Sequence, residues 1–270
     1  MQVFYINLER QTDRRLFVGE QFSALGLVGT RIVAVTPADI PAELVAKYCH
    51  PARGYWLTEV ELACNLSHRK AMEAFVAGGG DYAAIFEDDV LLSKSLPSFL
   101  EAVEAENSAL DILRLETFMD PIRLVDAGDT PIAEHAIQRA LSFTGGAAGY
   151  VVSRRAAKIL LEEEDLFFKI SDRVMFNPYE RLHHRLVMRH VVPALCVQLD
   201  RLPENHGSAF QSNLAPSRAA RVEAERPYRL ARLGHVIVDI LRYEVLGGIR
   251  KTAEQLLRRV EKQLVPFKSD

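Results

Sequence analysis

Glu87, Asp88 and Asp89 stand together in the chain, directly after the apolar run Tyr82-Ala83-Ala84-Ile85-Phe86. Adjacent carboxylates repel one another, and a divalent cation is one way to hold them in place. Hard oxygen ligands of this kind suit Mg²⁺ or Mn²⁺, with phosphate oxygens completing the shell. The apolar run predicts a buried strand whose C-terminal end carries the acids to a sheet edge, where open α/β sheets bind ligands. An acidic turn facing water is the other reading of the same residues.

A second group with chemical potential lies upstream. Thr58 and Glu61 have the spacing of a capping box, which starts a helix that Gly78-Gly79-Gly80 ends. Glu61, Cys64, Ser67 and His68 fall three or four residues apart on that helix and so share neighbouring faces. Cys64 alone reads as a small buried hydrophobe. Ser67 and His68 are consecutive and point apart, and the chain has no Gly-x-Ser-x-Gly elbow, so nucleophilic hydrolysis is disfavoured. The glycine triplet lacks the Lys-Ser/Thr of a phosphate loop.

These groups need a framework, and the apolar pattern supplies one. Residues 3–8 read as a first strand ending at Arg10 and Arg14, residues 13–25 as a helix and residues 30–35 as a second strand. Residues 96–105 and 154–163 are further helices. Residues 111–115, 149–152 and 191–199 are further strands, the last closing the core. Residues 117–143 show little periodicity and read as a loop or flap. His183, His184 and His190 read as surface residues. This alternation predicts an α/β sheet sandwiched by helices.

From residue 217 the pattern turns helical and basic, which divides the chain into a domain of 1–216 and an amphipathic helical extension of 217–270. Apolar Val236, Ile237, Ile240, Leu241, Val245 and Leu246 recur at helical spacing. Three occupants for that stripe stay open: the core, a second copy of the chain in a homo-oligomer, and an anionic membrane surface.

The chain has 270 residues, 49% of them hydrophobic, enough for a full core. A net charge of -3 argues against general nucleic-acid binding. The three cysteines, Cys49, Cys64 and Cys196, are widely spaced and odd in number. They make neither a disulfide framework nor a zinc cluster, which favours a reducing, cytoplasmic setting. The N-terminus has no signal-peptide pattern, and no apolar run approaches the roughly 18 residues of a membrane span.

The chain resembles glycosyltransferase family 25, the bacterial lipopolysaccharide and lipooligosaccharide glycosyltransferases, which includes the collagen galactosyltransferases. Ile6-Asn7-Leu8 with Arg10 and Arg14 looks like the family's opening strand and turn. Glu61-x-x-Cys64-x-x-Ser67-His68 is similar to its helix motif, and Glu87-Asp88-Asp89-Val90 to its EDDV signature. Gly145 to Val152, then Ser153, Ala156 and Ala157, resembles its glycine-rich segment, and Asp172 falls where the family places another aspartate.

That resemblance implies a GT-A-like fold and metal-dependent transfer of a sugar, most often galactose from UDP-galactose, with inversion at the anomeric carbon. The acceptor would be a lipopolysaccharide or other surface glycan, and the enzyme cytoplasmic or peripheral on the inner membrane face. It implies Mn²⁺ or Mg²⁺ held by Asp89 and Glu87, with His206 either a late metal or diphosphate ligand or an ordinary loop histidine. Asn7, Leu8, Arg10, Arg14, Ser67, His68, Glu87 and Asp88 are the implied donor-binding residues. Asp172 is the candidate catalytic base. For Arg10 and Arg14, surface salt bridging to Glu9 or Asp13 is the other reading, and for Asp172 it is a helix cap. Arg114-Leu115-Glu116 departs from the family's more apolar ending. Two other functions stay open: a sugar nucleotidyltransferase, and a non-catalytic protein binding nucleotide sugars or glycans.

Overall fold

The computed structural model describes residues 1–106, 110–202, 215–228, 233–239 and 262–269, with positions 241, 245 and 260. The first half of the chain holds β1 (Gln2–Asn7), α1 (Thr12–Ala24), β2 (Gly29–Val33), α2 (Ala42–Tyr48), α3 (Glu59–Ala77), β3 (Tyr82–Glu87), β4 (Val90–Leu92) and α4 (Leu96–Glu106). There follow β5 (Ile112–Arg114), β6 (Glu116–Thr117), β7 (Ile122–Asp126), β8 (Ala136–Ala140), β9 (Gly149–Ser153), α5 (Arg154–Glu162), α6 (Ser171–Phe176), β10 (Met188–Val192) and β11 (Cys196–Gln198). The last described elements are α7 (Ala215–Glu225), α8 (Leu233–Asp239) and β12 (Lys262–Gln263).

Among the described residues the main sheet runs β12-β7-β8-β10-β5-β9-β3-β1-β2, and β4-β11-β6 form a smaller one. β1 pairs in parallel with β2 and β3, whereas β9 is antiparallel to both β3 and β5. The mixed sheet flanked by helices meets the expected α/β class. Strand β1 explains why both faces are covered. Val3 and Tyr5 pack with Val18 and Phe22 of α1 and with Phe99 and Val103 of α4. Phe4 and Ile6, on the alternate face, pack with Ala71, Met72 and Phe75 of α3 and with Ala157 and Leu160 of α5. A strand buried on both sides has to be apolar throughout, and this one is.

Three expectations change. Residues 117–143 are not a flap: β7 and β8 pair antiparallel there, Leu124 opposite Ala140. The closing strand expected over 191–199 is two strands in different sheets. Pro193 lies between β10 and β11, where its missing N–H cannot serve a ladder. The extension is not helical to its end. β12 adds to the edge of β7, Lys262 opposite Arg123, and Val265 is buried against Ile122 and Leu124. The Thr117 hydroxyl donates to the Val265 carbonyl at 2.7 Å. Covering β7 in this way satisfies backbone groups that a bare edge would expose.

The start of the extension is tied to the core. The predicted capping box forms, with the Glu61 amide donating to Thr58 Oγ1 at 3.2 Å and the Thr58 amide to Glu61 Oε2 at 2.8 Å. Arg221 of α7 then pairs with that same Glu61 carboxylate at 2.9 Å and donates to the Trp56 carbonyl at 3.0 Å. The Trp56 indole donates to Glu225 at 2.9 Å. Beyond this clamp, Leu233, Ile237, Val238, Leu241 and Val245 are exposed.

Candidate active site

The parallel pairing of β1 and β3 sets Ile6 opposite Glu87, so both strands end at one edge of the sheet. The acids are not in a water-facing turn, because Asp88 and Asp89 are buried and Glu87 is only partly exposed. Asn7 donates to Asp88 Oδ2 at 2.6 Å and is itself oriented by Arg31, which donates to Asn7 Oδ1 at 2.9 Å. Arg14 is buried on α1 and reaches Asp88 at 3.3 Å and Asp89 at 3.1 Å. Of the two readings open for Arg14, the donor contact and a surface pairing with Glu9 or Asp13, neither named these inward pairs with Asp88 and Asp89. From the smaller sheet, Gln198 donates to Glu87 Oε2 at 3.2 Å and Asp89 Oδ1 at 3.3 Å.

The charge balance is incomplete. Arg14 is the single guanidinium that ion-pairs with this cluster among the described residues, and it faces two of the three acids. Burial raises Asp89, and neighbouring Glu87 adds to the rise against the opposing pull of Arg14. Glu87 is likewise raised, by burial first and then by Asp88. Such a cluster either holds protons or takes a cation, and its oxygen-only donor set fits a hard divalent ion. Glu87 and Asp89 would hold that ion, with Gln198 already joining the two.

A cavity of about 380 Å³ opens over these acids. Leu8, Arg10, Arg14, Ser67, His68 and Asp172 all contribute to its wall. Arg10 is exposed at the end of β1, free of the burial that holds Arg14. His68 is buried, with Nδ1 3.1 Å from the Tyr150 hydroxyl and Nε2 3.4 Å from Glu87 Oε1. Burial lowers its pKa to about 4, so it is neutral at physiological pH. Ser67 is occupied by the backbone: its hydroxyl donates to the Ala63 carbonyl at 2.8 Å and accepts from the Val35 amide at 2.9 Å. That bond ties α3 to the segment after β2. Cys64 is only half-buried and lines the cavity rather than filling a core.

Opposite α3, charged side chains hold the glycine-rich turn before β9. Asp172 Oδ2 accepts from the Gly146 amide at 2.9 Å, and Oδ1 from the Arg173 amide at 2.5 Å. Glu116 accepts from the Ala148 amide at 2.9 Å, while Arg114 donates to the Thr144 carbonyl at 3.0 Å and to the Gly145 carbonyl. Ile170, not Asp172, occupies the N-cap of α6. Gly146 has φ +97°, and a methyl group there would overlap the Glu116 carboxylate. Burial raises Glu116 to about 7.

Arg114 and Glu116, where the chain departs from the family pattern, therefore hold the glycine-rich turn. The sequence marked these residues as a departure that could alter the donor pocket but not as holding this turn, because their partners lie about 30 residues downstream. It also missed Arg201, stacked 3.6 Å over the Phe118 ring at the cavity wall. His190 is buried beside Phe176 and its pKa is pushed down by that burial, so the surface reading fails there. His206 lies outside the described residues.

The chain matches the family described as glycosyltransferase family 25 (LPS biosynthesis protein) along residues 1–175. It belongs to that family. The matched stretch contains β1, the helix bearing Cys64 and His68, the acids and Asp172. Two similar proteins span nearly the full chain. The lipooligosaccharide biosynthesis protein lic2B of Haemophilus influenzae is 27% identical over 98% of each chain. The lacto-N-neotetraose biosynthesis glycosyltransferase LgtE of Neisseria meningitidis serogroup B is 29% identical over 97% of this chain and 94% of its own. LgtB of Neisseria meningitidis serogroup A, also a lacto-N-neotetraose biosynthesis glycosyltransferase, is 31% identical over 73% of this chain and 74% of its own.

Proposed function

We propose that this family 25 glycosyltransferase is metal-dependent and inverting, and moves galactose from UDP-galactose to a lipopolysaccharide, lipooligosaccharide or related surface-glycan acceptor. The observation that carries the reading is the cluster of Glu87, Asp88 and Asp89, with one ion-paired arginine among the described residues, beneath a cavity of about 380 Å³. A sugar nucleotide loses a diphosphate on transfer, and Mn²⁺ or Mg²⁺ supplies charge neutralisation for that leaving group. Glu87 and Asp89 are the ligands for the ion, while Asp88, fixed by Asn7 and Arg14, keeps the strand end in position. Arg10 at the cavity mouth serves the diphosphate or ribose.

On the acceptor side, inversion in one displacement needs a base. The acceptor hydroxyl oxygen bonds to the anomeric carbon, the bond to the UDP oxygen breaks, and the hydroxyl proton passes to the base. Asp172 is assigned that role. Each of its oxygens accepts one backbone N–H, which orients the carboxylate and leaves a second lone pair on each.

Calorimetric titration of the full chain with a panel of nucleotide sugars tests the donor assignment. UDP-galactose is expected to bind with Mn²⁺ present and at least tenfold more weakly in chelator. A folded protein that binds no nucleotide sugar under either condition would overturn the reading.

We also place the enzyme at an anionic membrane surface, where a lipid-linked acceptor is presented. No helix among the described residues is long and apolar enough to cross a membrane. The support is the exposed set Leu233, Ile237, Leu241 and Val245 in the basic extension. In flotation with phosphatidylserine-containing liposomes, the triple change Leu233→Ser, Ile237→Ser, Leu241→Ser is expected to reduce bound protein several-fold. Unchanged flotation would leave those residues to another occupant.

A further inference from the structure

Cys64 Sγ, a ring nitrogen of His68 and a carboxylate oxygen of Glu87 lie within 4.8 Å of one another. Two come from one helix at i and i+4, the spacing that sets ligands side by side on a helix face, and the third comes from the end of β3. A tetrahedral zinc ion with bonds of about 2.0–2.3 Å spaces its ligands roughly 3.5 Å apart. His68 Nε2 and Glu87 Oε1, 3.4 Å apart, already meet that spacing. The sulfur, within 4.8 Å of both partners, needs to close in by roughly 1.3 Å at most to reach that spacing.

We propose that Cys64, His68 and Glu87 form a binding site for a thiophilic transition metal, Zn²⁺ above all, with its fourth position open to the cavity. The donor set is what separates it from the acid cluster. Sulfur and imidazole favour zinc over Mg²⁺ or Mn²⁺, whereas Glu87 with Asp89 offers only oxygen. The surroundings support imidazole ligation. The Tyr150 hydroxyl at Nδ1 can accept the ring proton, which leaves the Nε2 lone pair facing Glu87. Binding is a simple exchange: the Cys64 thiol gives its proton to solvent as the sulfur–metal bond forms.

The site stands without the glycosyltransferase reading, although it shares Glu87 with the hard-cation pair. That sharing has a consequence where the reading holds. Zinc on Cys64 and His68 draws Glu87 away from Asp89, so zinc and Mn²⁺ compete.

Cobalt substitution tests the site independently of turnover. One equivalent of Co²⁺ added to the metal-free full chain is expected to give intense visible bands of tetrahedral cobalt and a near-ultraviolet thiolate charge-transfer band. Cys64→Ser should abolish the charge-transfer band, and Cys49→Ser should leave it. A weak octahedral spectrum in the wild type would overturn the proposal, as would a charge-transfer band that survives in Cys64→Ser. X-ray absorption of the zinc-loaded wild type guards against a variant that does not fold. One sulfur at about 2.3 Å is expected, and an all-oxygen-and-nitrogen shell overturns the site. Donor titration in Mn²⁺ reads the glycosyltransferase assignment separately, so either can fail alone.

Discussion

Replacing Asp89 with asparagine is expected to lower kcat/KM for sugar transfer by about 10³-fold while leaving the fold intact. The asparagine keeps the size of Asp89 and can still accept from Gln198 through its amide oxygen, a bond of 3.3 Å in the wild type. It removes the charge that, with Glu87, would hold a cation against the donor diphosphate. A metal that stabilises a developing charge contributes several kcal/mol to the transition state, and about 4 kcal/mol corresponds to three decades in rate. Arg14 retains Asp88 at 3.3 Å, so it is not stranded. Steady-state kinetics with UDP-galactose across a Mn²⁺ titration is the measurement. A change below tenfold, at saturating metal, would remove Asp89 from the metal-holding role.

The contrast between Asp89 and its neighbours shows what the chain's sequence could and could not reveal. The acids were legible because an apolar run of strand length leads into them, and a strand buried on both faces leaves its end as the place for charge. The helix with Cys64, Ser67 and His68 was legible for a similar reason: Thr58 and Glu61 announce its start, which fixes the helical positions of all three. Arg14 was only half legible. Its position after β1 was evident, but its partners are 74 and 75 residues away, and no local signal says that α1 turns this side chain inward. Ser67 was assigned to the donor on its motif, yet its hydroxyl is taken up by the backbone on both sides.

Glu116 shows the same limit from the other direction. Nothing beside its short strand signals its burial, because its partners, the Ala148 amide and the positive-φ Gly146, lie about 30 residues on. Likewise β12 could not be foreseen. Two residues carry no periodicity, and the reason they form a strand is the open edge of β7, which is built from a distant part of the chain. His190 was misplaced because it was read into a helix–strand connection, whereas it lies within β10, whose alternation turns it inward toward Phe176.

Arg14→Met is expected to destabilise the metal-free protein by about 3–5 kcal/mol at pH 8, the range found when one partner of a buried ion pair is removed. The Arg14 side chain is 6% exposed and that of Asp89 5%, so solvent does little to screen the loss. The penalty depends on the carboxylates being ionised, which gives the prediction its pH signature. Glu87 and Asp89 have folded pKa values raised above their ordinary values of 4.5 and 3.8, to about 7. Between those values the folded state binds more protons than the unfolded one, so their contribution to stability falls as pH rises through the window. Without Arg14 the rise is larger and the window reaches higher pH. The difference between wild type and variant should therefore be small at pH 5 and grow steadily towards pH 8. His68, lowered to about 4, has the opposite sign: below its unfolded value near 6.5 the unfolded state takes up the proton, and stability is lost as pH falls. It is present in both proteins and largely cancels in the difference. Denaturant unfolding of the two proteins in chelator, at pH 5, 6.5 and 8, measures the effect. A destabilisation that does not change with pH would mean that Arg14 acts by packing its aliphatic stem on α1 rather than by opposing the charge of Asp88 and Asp89. Mn²⁺ added at pH 8 should restore part of the loss, because a divalent ion between Glu87 and Asp89 supplies the positive charge that the methionine cannot.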